Sequence, residues 1–84
     1  MSFRAYDEVA ITGMTYMANG DAVATMGLDD SAAINFWDVE VRRFHEDGTV
    51  DILEEHEDLQ EDEANRIFER LCTQYPEADQ SVNY

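Results

Sequence analysis

Two histidines set among carboxylates are the first residues suited to chemistry: His45-Glu46-Asp47 and Glu54-Glu55-His56-Glu57-Asp58. Imidazole with carboxylates is a donor set for divalent metals. The spacing argues against one. The chain has no H-x-x-x-H or CxxC, and no segment follows the D-x-D-x-D-G order of a calcium loop. Both histidines therefore read as solvated loop residues, and no metal or cofactor is expected. Cys72 falls inside an expected helix, four residues after Phe68. It lacks the helix N-terminus or neighbouring cation that makes a reactive thiolate, so it reads as a half-buried structural residue. Paired carboxylates serve as acid and base in glycosidases, but 20 acids in 84 residues produce such pairs by number alone. There is no Gly-rich phosphate loop. No catalytic residue is assigned, and the protein is expected not to be an enzyme.

The acids themselves are the stronger signal. Residues 45–63 hold Glu46, Asp47, Asp51, Glu54, Glu55, Glu57, Asp58, Glu61, Asp62 and Glu63, with no Lys or Arg among them. The whole chain has net charge −15, so this run carries two thirds of it. Ordinary solubility of a small domain asks for a magnitude of roughly 2–8. Like charges held together also oppose compaction. The run therefore reads as a binding surface.

Composition narrows the partner. The chain is 44% hydrophobic, with four Phe, four Tyr and one Trp, which is globular rather than disordered. All five cations are Arg, and Lys is absent. Such a protein repels nucleic acid and anionic membranes and attracts basic surfaces, so direct nucleic-acid binding and membrane association are not expected. Residues 1–8 lack the apolar core of a signal peptide, no run reaches the roughly 18 residues of a membrane span, and a lone Cys suits a reducing compartment. A cytoplasmic protein is expected.

These residues need a scaffold, and the pattern supplies an α+β one. Residues 5–18 fit two periods. Tyr6, Val9, Ala10, Gly13, Met14 and Met17 fall at helical spacing, but Val9, Ile11, Thr12 and Thr15 are β-branched, and Asn19-Gly20 is a hairpin signal. Strand–turn–strand is preferred, pairing Tyr16 with Val23; a helix followed by a strand is the alternative. Residues 27–31 read as a loop, with a helical turn at Ala32 and Ala33. Met14, Met17 and Met26 read as core filling.

Trp37, Val39 and Val41 alternate with Asp38, Glu40 and Arg42, which predicts a half-buried strand over residues 34–44. His45-Glu46-Asp47-Gly48 turns the chain into a returning strand from Thr49 to about Glu55. A four-residue loop pairs Val41 with Ile52 and Arg42 with Asp51; a three-residue loop shifts this by one. Arg42 is expected to neutralise Asp51 or Glu40, and Arg43 to snorkel at the sheet edge. Asp58 is placed as cap of a final helix with Glu61. Ala64, Ile67, Phe68, Leu71 and Tyr75 form its apolar stripe, Arg66 lies within reach of Asp62 and Glu63, and Pro76 ends the helix. The expected fold is a small antiparallel meander of about four strands with one C-terminal helix on one face. Residues 1–76 form a single domain and 77–84 a flexible tail. An exposed edge near 22–27 or 36–44 would support a homodimer.

In size, acidity and α+β layout the chain resembles small phage-encoded inhibitors, the anti-CRISPR and anti-restriction proteins that act as DNA mimics. The resemblance implies stoichiometric, non-catalytic binding to a basic nucleic-acid-binding host effector, whose DNA-reading channel it would block. The partner-facing residues expected are Asp38, Glu40, Glu46, Asp47, Asp51, Glu54, Glu55, Glu57, Asp58, Glu61 and Asp62. Two alternatives stand beside this reading. One is a halophilic interaction domain whose acids keep it soluble in high salt. The other is a metal-binding regulator using His45 and His56.

Overall fold

The stretch that fits two periods resolves as a strand. β1 (Tyr6–Tyr16) sends Val9 and Ile11 to one face, where both are fully buried. Its β-branched residues pack well on a pleated surface, and Gly13 weakens the competing helix. The computed structural model describes residues 4–25 and 33–84. In them β1 is followed by β2 (Ala22–Ala24), β3 (Phe36–Phe44), β4 (Val50–Leu59), α1 (Glu61–Gln74) and β5 (Asp79–Asn83). The fold is α+β, with antiparallel strands in the order β2-β1-β3-β4 and one late helix. The order refines the expected meander, because β3 lies against β1 rather than β2. β2 has three residues and pairs only with Met14–Tyr16, whereas β1 offers β3 nine pairs. The loop expected at 27–31, the turn at Ala32, and Met26 lie outside the described residues.

Both hairpins use the same short loop. Met17 N–H donates to Asp21 O at 2.7 Å, and Gly20 N–H donates to Met17 O at 2.9 Å. His45 and Thr49 repeat the first bond at 2.9 Å, and Gly48 and His45 the second at 3.0 Å. Gly20 and Gly48 have φ of +91° and +89°, the left-handed geometry that closes a three-residue loop at low steric cost. The first register is therefore Tyr16 with Ala22, one residue off the expected Tyr16–Val23 pair. The second is Arg42 with Ile52 and Arg43 with Asp51, the three-residue alternative rather than the four-residue one.

Helix α1 covers one face. Ala64 and Leu71 are fully buried against Val9, Ile11, Val39 and Val41, and Trp37, Ile67, Phe68 and Tyr75 pack around them. This is the stripe the sequence spells out. Its start differs: Gln60 is the cap, with no side-chain hydrogen bond, and Asp58 still belongs to β4. Glu61, Asp62 and Glu63 occupy the first turn, where the helix dipole favours negative charge. The helix ends before Pro76, with Tyr75 N–H bonded to Leu71 O at 2.8 Å. No ion pair joins Arg66 to Asp62 or Glu63. Met17 is 47% exposed and fills no core.

The expected flexible tail is instead partly a strand. β5 pairs in parallel with β1 from Glu8–Asp79 to Thr12–Asn83. The short β2 leaves this half of the β1 edge unpaired, and β5 satisfies its backbone groups. Tyr84 then lies edge-on to Trp37, ring centroids 6.3 Å apart. β3 is central, between β1 and β4, so the dimer edge expected near 36–44 is absent. Among the described residues the free edges are β4 on one side and β2 with β5 on the other. Among the described residues no helix is long and apolar enough to cross a membrane.

Candidate functional site

Among the described residues no helix lies on the face of the sheet away from α1, and the strand registers map it row by row. At the β3–β4 turn end, Tyr6, Phe44 and Val50 lie side by side on β1, β3 and β4. The next row is Glu8, Arg42 and Ile52, and the next Ala10, Glu40 and Glu55. Thr12 and Asp38 follow, with Glu57 beside Asp38. The far row is Met14 and Phe36, against which Tyr16 packs at 5.3 Å. The middle of the face thus holds five carboxylates, Glu8, Asp38, Glu40, Glu55 and Glu57, around one cation, Arg42.

A bulge decides which acids arrive there. Arg42 pairs with Ile52 but Val41 with Glu54, so Leu53 is an extra residue on β4. Such an insertion shifts every later residue to the other face. Without it, Glu54 would stand opposite Glu40. With it, Glu55 and Glu57 take the open face, and Glu54 and His56 take the helix side. A second irregularity lies between Val39–His56 and Trp37–Leu59, where Asp58 has φ of +56°. Asp tolerates the left-handed region better than most residues. There Asp58 N–H donates to Asp38 Oδ1 at 3.2 Å.

The electrostatics of the open face are those of crowding. Arg42 is shared between Glu40 at 2.9 Å and Glu8 at 3.3 Å. The bond to Glu40 raises the Arg42 pKa further. Among the described residues no cation pairs with Asp38. Partial burial pushes its carboxyl above the usual range, and Glu57, Asp58 and Glu40 push the same way, against the bond from Asp58 N–H. Glu55 is raised by a hydrogen bond with Glu57, then by repulsion from Glu57, Glu40 and Asp38. Directly opposed like charges such as Glu40 and Glu55 destabilise a sheet.

The other expected partner-facing acids are not on this face. Glu46 and Asp47 form the β3–β4 loop. Asp47 Oδ1 accepts the Thr49 hydroxyl at 2.7 Å and the Thr49 N–H at 3.0 Å, and these bonds lower its pKa. Asp47 therefore builds the turn. Asp51 has helix-side parity opposite Arg43, and contacts His45 at 2.7 Å rather than Arg42. Glu54 contacts His56 at 3.3 Å and Arg70 at 3.7 Å. Asp58 lies at the bulge, and Glu61 and Asp62 begin α1. Arg43 does not merely snorkel: its Nε and Nη2 donate to the two oxygens of Asp7 at 2.8 and 3.1 Å, holding Asp7 below the usual carboxylate range. Of the expected set, Asp38, Glu40, Glu55 and Glu57 converge, with Asp58 at their border. Glu8 joins them unanticipated. Its alternation with Val9 and Ile11 was the available signal, but only the β1–β3 pairing places it beside Arg42.

Among the described residues, no group of three or more His, Cys, Asp or Glu side chains is arranged to hold a metal ion. Cys72 is half-buried, and burial followed by Glu69 raises its pKa, which keeps it a thiol. Compared with known proteins, the chain matches no family model, no curated protein and no solved structure.

Proposed function

We propose that this is a non-enzymatic acidic binding protein whose open sheet face stands in for a nucleic-acid backbone and occupies the binding site of a basic DNA- or RNA-binding effector. The observation carrying the reading is the convergence of Asp38, Glu40, Glu55 and Glu57 on the face away from α1, where a cross-strand acid pair costs stability. Fold stability gives no reason to keep that pair. Alternate residues on a strand are about 6.6 Å apart, near two of the 3.4 Å axial rises per phosphate of one DNA strand. Two columns of carboxylates on adjacent strands thus offer Arg forks the acceptors that phosphates offer. Steering by the net charge of −15 would speed encounter with a basic site. The action is stoichiometric, as the likeness to phage inhibitors implies, and a cytoplasmic setting belongs to the same proposal.

The test is capture of proteins from nuclease-treated lysate of the native host, followed by challenge with duplex and single-stranded oligonucleotides. The expected result is a captured nucleic-acid-binding protein that oligonucleotide releases and added salt weakens. Captured proteins that ignore both competitors would contradict the proposal.

A further inference from the structure

The open face carries more than charge. Tyr6 and Phe44 stack with ring centroids 4.8 Å apart. Phe44 pairs with Val50, and Ile52 lies one row further along. Tyr6, Val50 and Ile52 are 39%, 46% and 49% exposed. Leu53, the bulge residue beside them, is also exposed at 37%. Val50, Ile52 and Leu53 form an apolar end continuous with the acidic middle, and among the described residues no other element lies over them. A phosphate decoy working by charge alone has no use for them. Nor does a second copy fit well, because two such faces would bring acid against acid.

We infer that this face receives a basic amphipathic helix of the partner, with its apolar residues seated on Phe44, Val50 and Ile52 and its Arg or Lys residues over Glu40, Glu55, Asp38 and Glu57. The inference rests on the proposed binding role of the acidic face and names what occupies it. Charge complementarity sets the sign of the occupant, and the row spacing is compatible with a helix. Rows lie about 6.6 Å apart along the strands, and four residues of helix advance about 6 Å. Apolar residues at i and i+4 therefore match the first two rows. Arg or Lys at i+8 and i+11 lie on the same helix face, and their long side chains reach the next two rows. Apolar contact makes part of the affinity independent of salt, whereas the ion pairs weaken as salt rises.

Two synthetic peptides of about sixteen residues, enough for four helical turns, test this on the intact protein. One carries Leu at i and i+4 and Arg at i+8 and i+11. The other has the same Arg residues with Ala in place of Leu. The Leu peptide should bind about tenfold more tightly and keep that advantage as NaCl is raised. Amide shifts should change at Phe44, Val50, Ile52, Glu40 and Glu55. The double variant V50T/I52T, which keeps β-branching at half-exposed positions, should erase the advantage while its melting curve stays unchanged. Equal affinity of the two peptides would overturn the apolar anchor and leave the acidic decoy standing. Shift changes confined to the free edge of β4 would overturn the helix on the face in favour of an added strand. Failure of both peptides to bind would count against the anchor and the acidic decoy together.

Discussion

Glu55 faces Glu40 across the sheet and shares a hydrogen bond with Glu57. With Asp38, it is an acid whose pKa is raised in the folded protein. The folded state therefore holds protons that the unfolded state has released, and stability must fall as pH rises through these raised values. Asp7 and Asp47 have the opposite sign, because Arg43 and Thr49 favour their charged forms. Their contribution is full above the ordinary Asp value of 3.8 and is lost below it. Melting temperature should thus rise on acidification from neutral pH, beginning above the ordinary carboxylate values of 3.8 and 4.5. It should then fall below 3.8 as Asp7 and Asp47 protonate. A thermal melt series across that range checks both limbs. Glu55→Gln should raise the melting temperature at neutral pH and flatten the first limb; a lower melting temperature would mean that the crowding at Glu55 is not costly.

At the scale of elements, the bulge at Leu53 decides which acids are displayed. Exchanging Glu55 and His56 as E55H/H56E keeps composition and net charge but moves one carboxylate to the helix side. It should weaken partner binding measured by titration calorimetry, whereas a decoy working by total charge would bind as before. Gly13 supports the other end of the fold. A Cβ there would meet Tyr84 Cβ at 2.7 Å and Ile34 Cδ1 at 2.9 Å. Gly13→Ala should therefore loosen β5, seen as faster amide hydrogen exchange across Asp79–Asn83. Unchanged protection would show that β5 does not depend on this close approach. In the core, Leu71→Ala should cost about 2–5 kcal/mol by chemical denaturation.

These elements differ in how far the sequence declares them. The alternation Trp37, Val39, Val41 and the stripe Ala64, Ile67, Phe68, Leu71, Tyr75 were legible because burial on one face imposes a period on the residues themselves. The hairpin registers were legible only to within one residue, since the glycines mark a turn without fixing its length. The bulge was not legible at all. Leu53 is neither Gly nor Asn, and the extra residue appears only when β4 is laid against β3. The sequence therefore finds Asp38 and Glu40 on the open face but misplaces Glu54, a neighbour of Glu55. β5 was hidden for a related reason: Asp79-Gln80-Ser81-Val82-Asn83 lacks an apolar alternation, and its strand geometry comes from the edge that the short β2 leaves open.

For the whole molecule, a net charge of −15 should make stability depend on salt, because screening relieves repulsion among exposed acids. Melting temperature should climb with KCl and level off once the Debye length falls to about 3 Å near 1 M. A chain unfolded at low salt and folded only near molar KCl would instead favour adaptation to a saline interior. The central claim, however, concerns where the charge sits. Two variants remove four charges each: D38N/E40Q/E55Q/E57Q on the open face, and E61Q/D62N/E63Q/E69Q on the exposed side of α1. Both have net charge −11, being −15 plus four. Calorimetric titration of each against the captured partner is the most direct measurement. The account predicts that the first variant loses binding while the second keeps most of it. Equal loss in both, or none in the first, would contradict it.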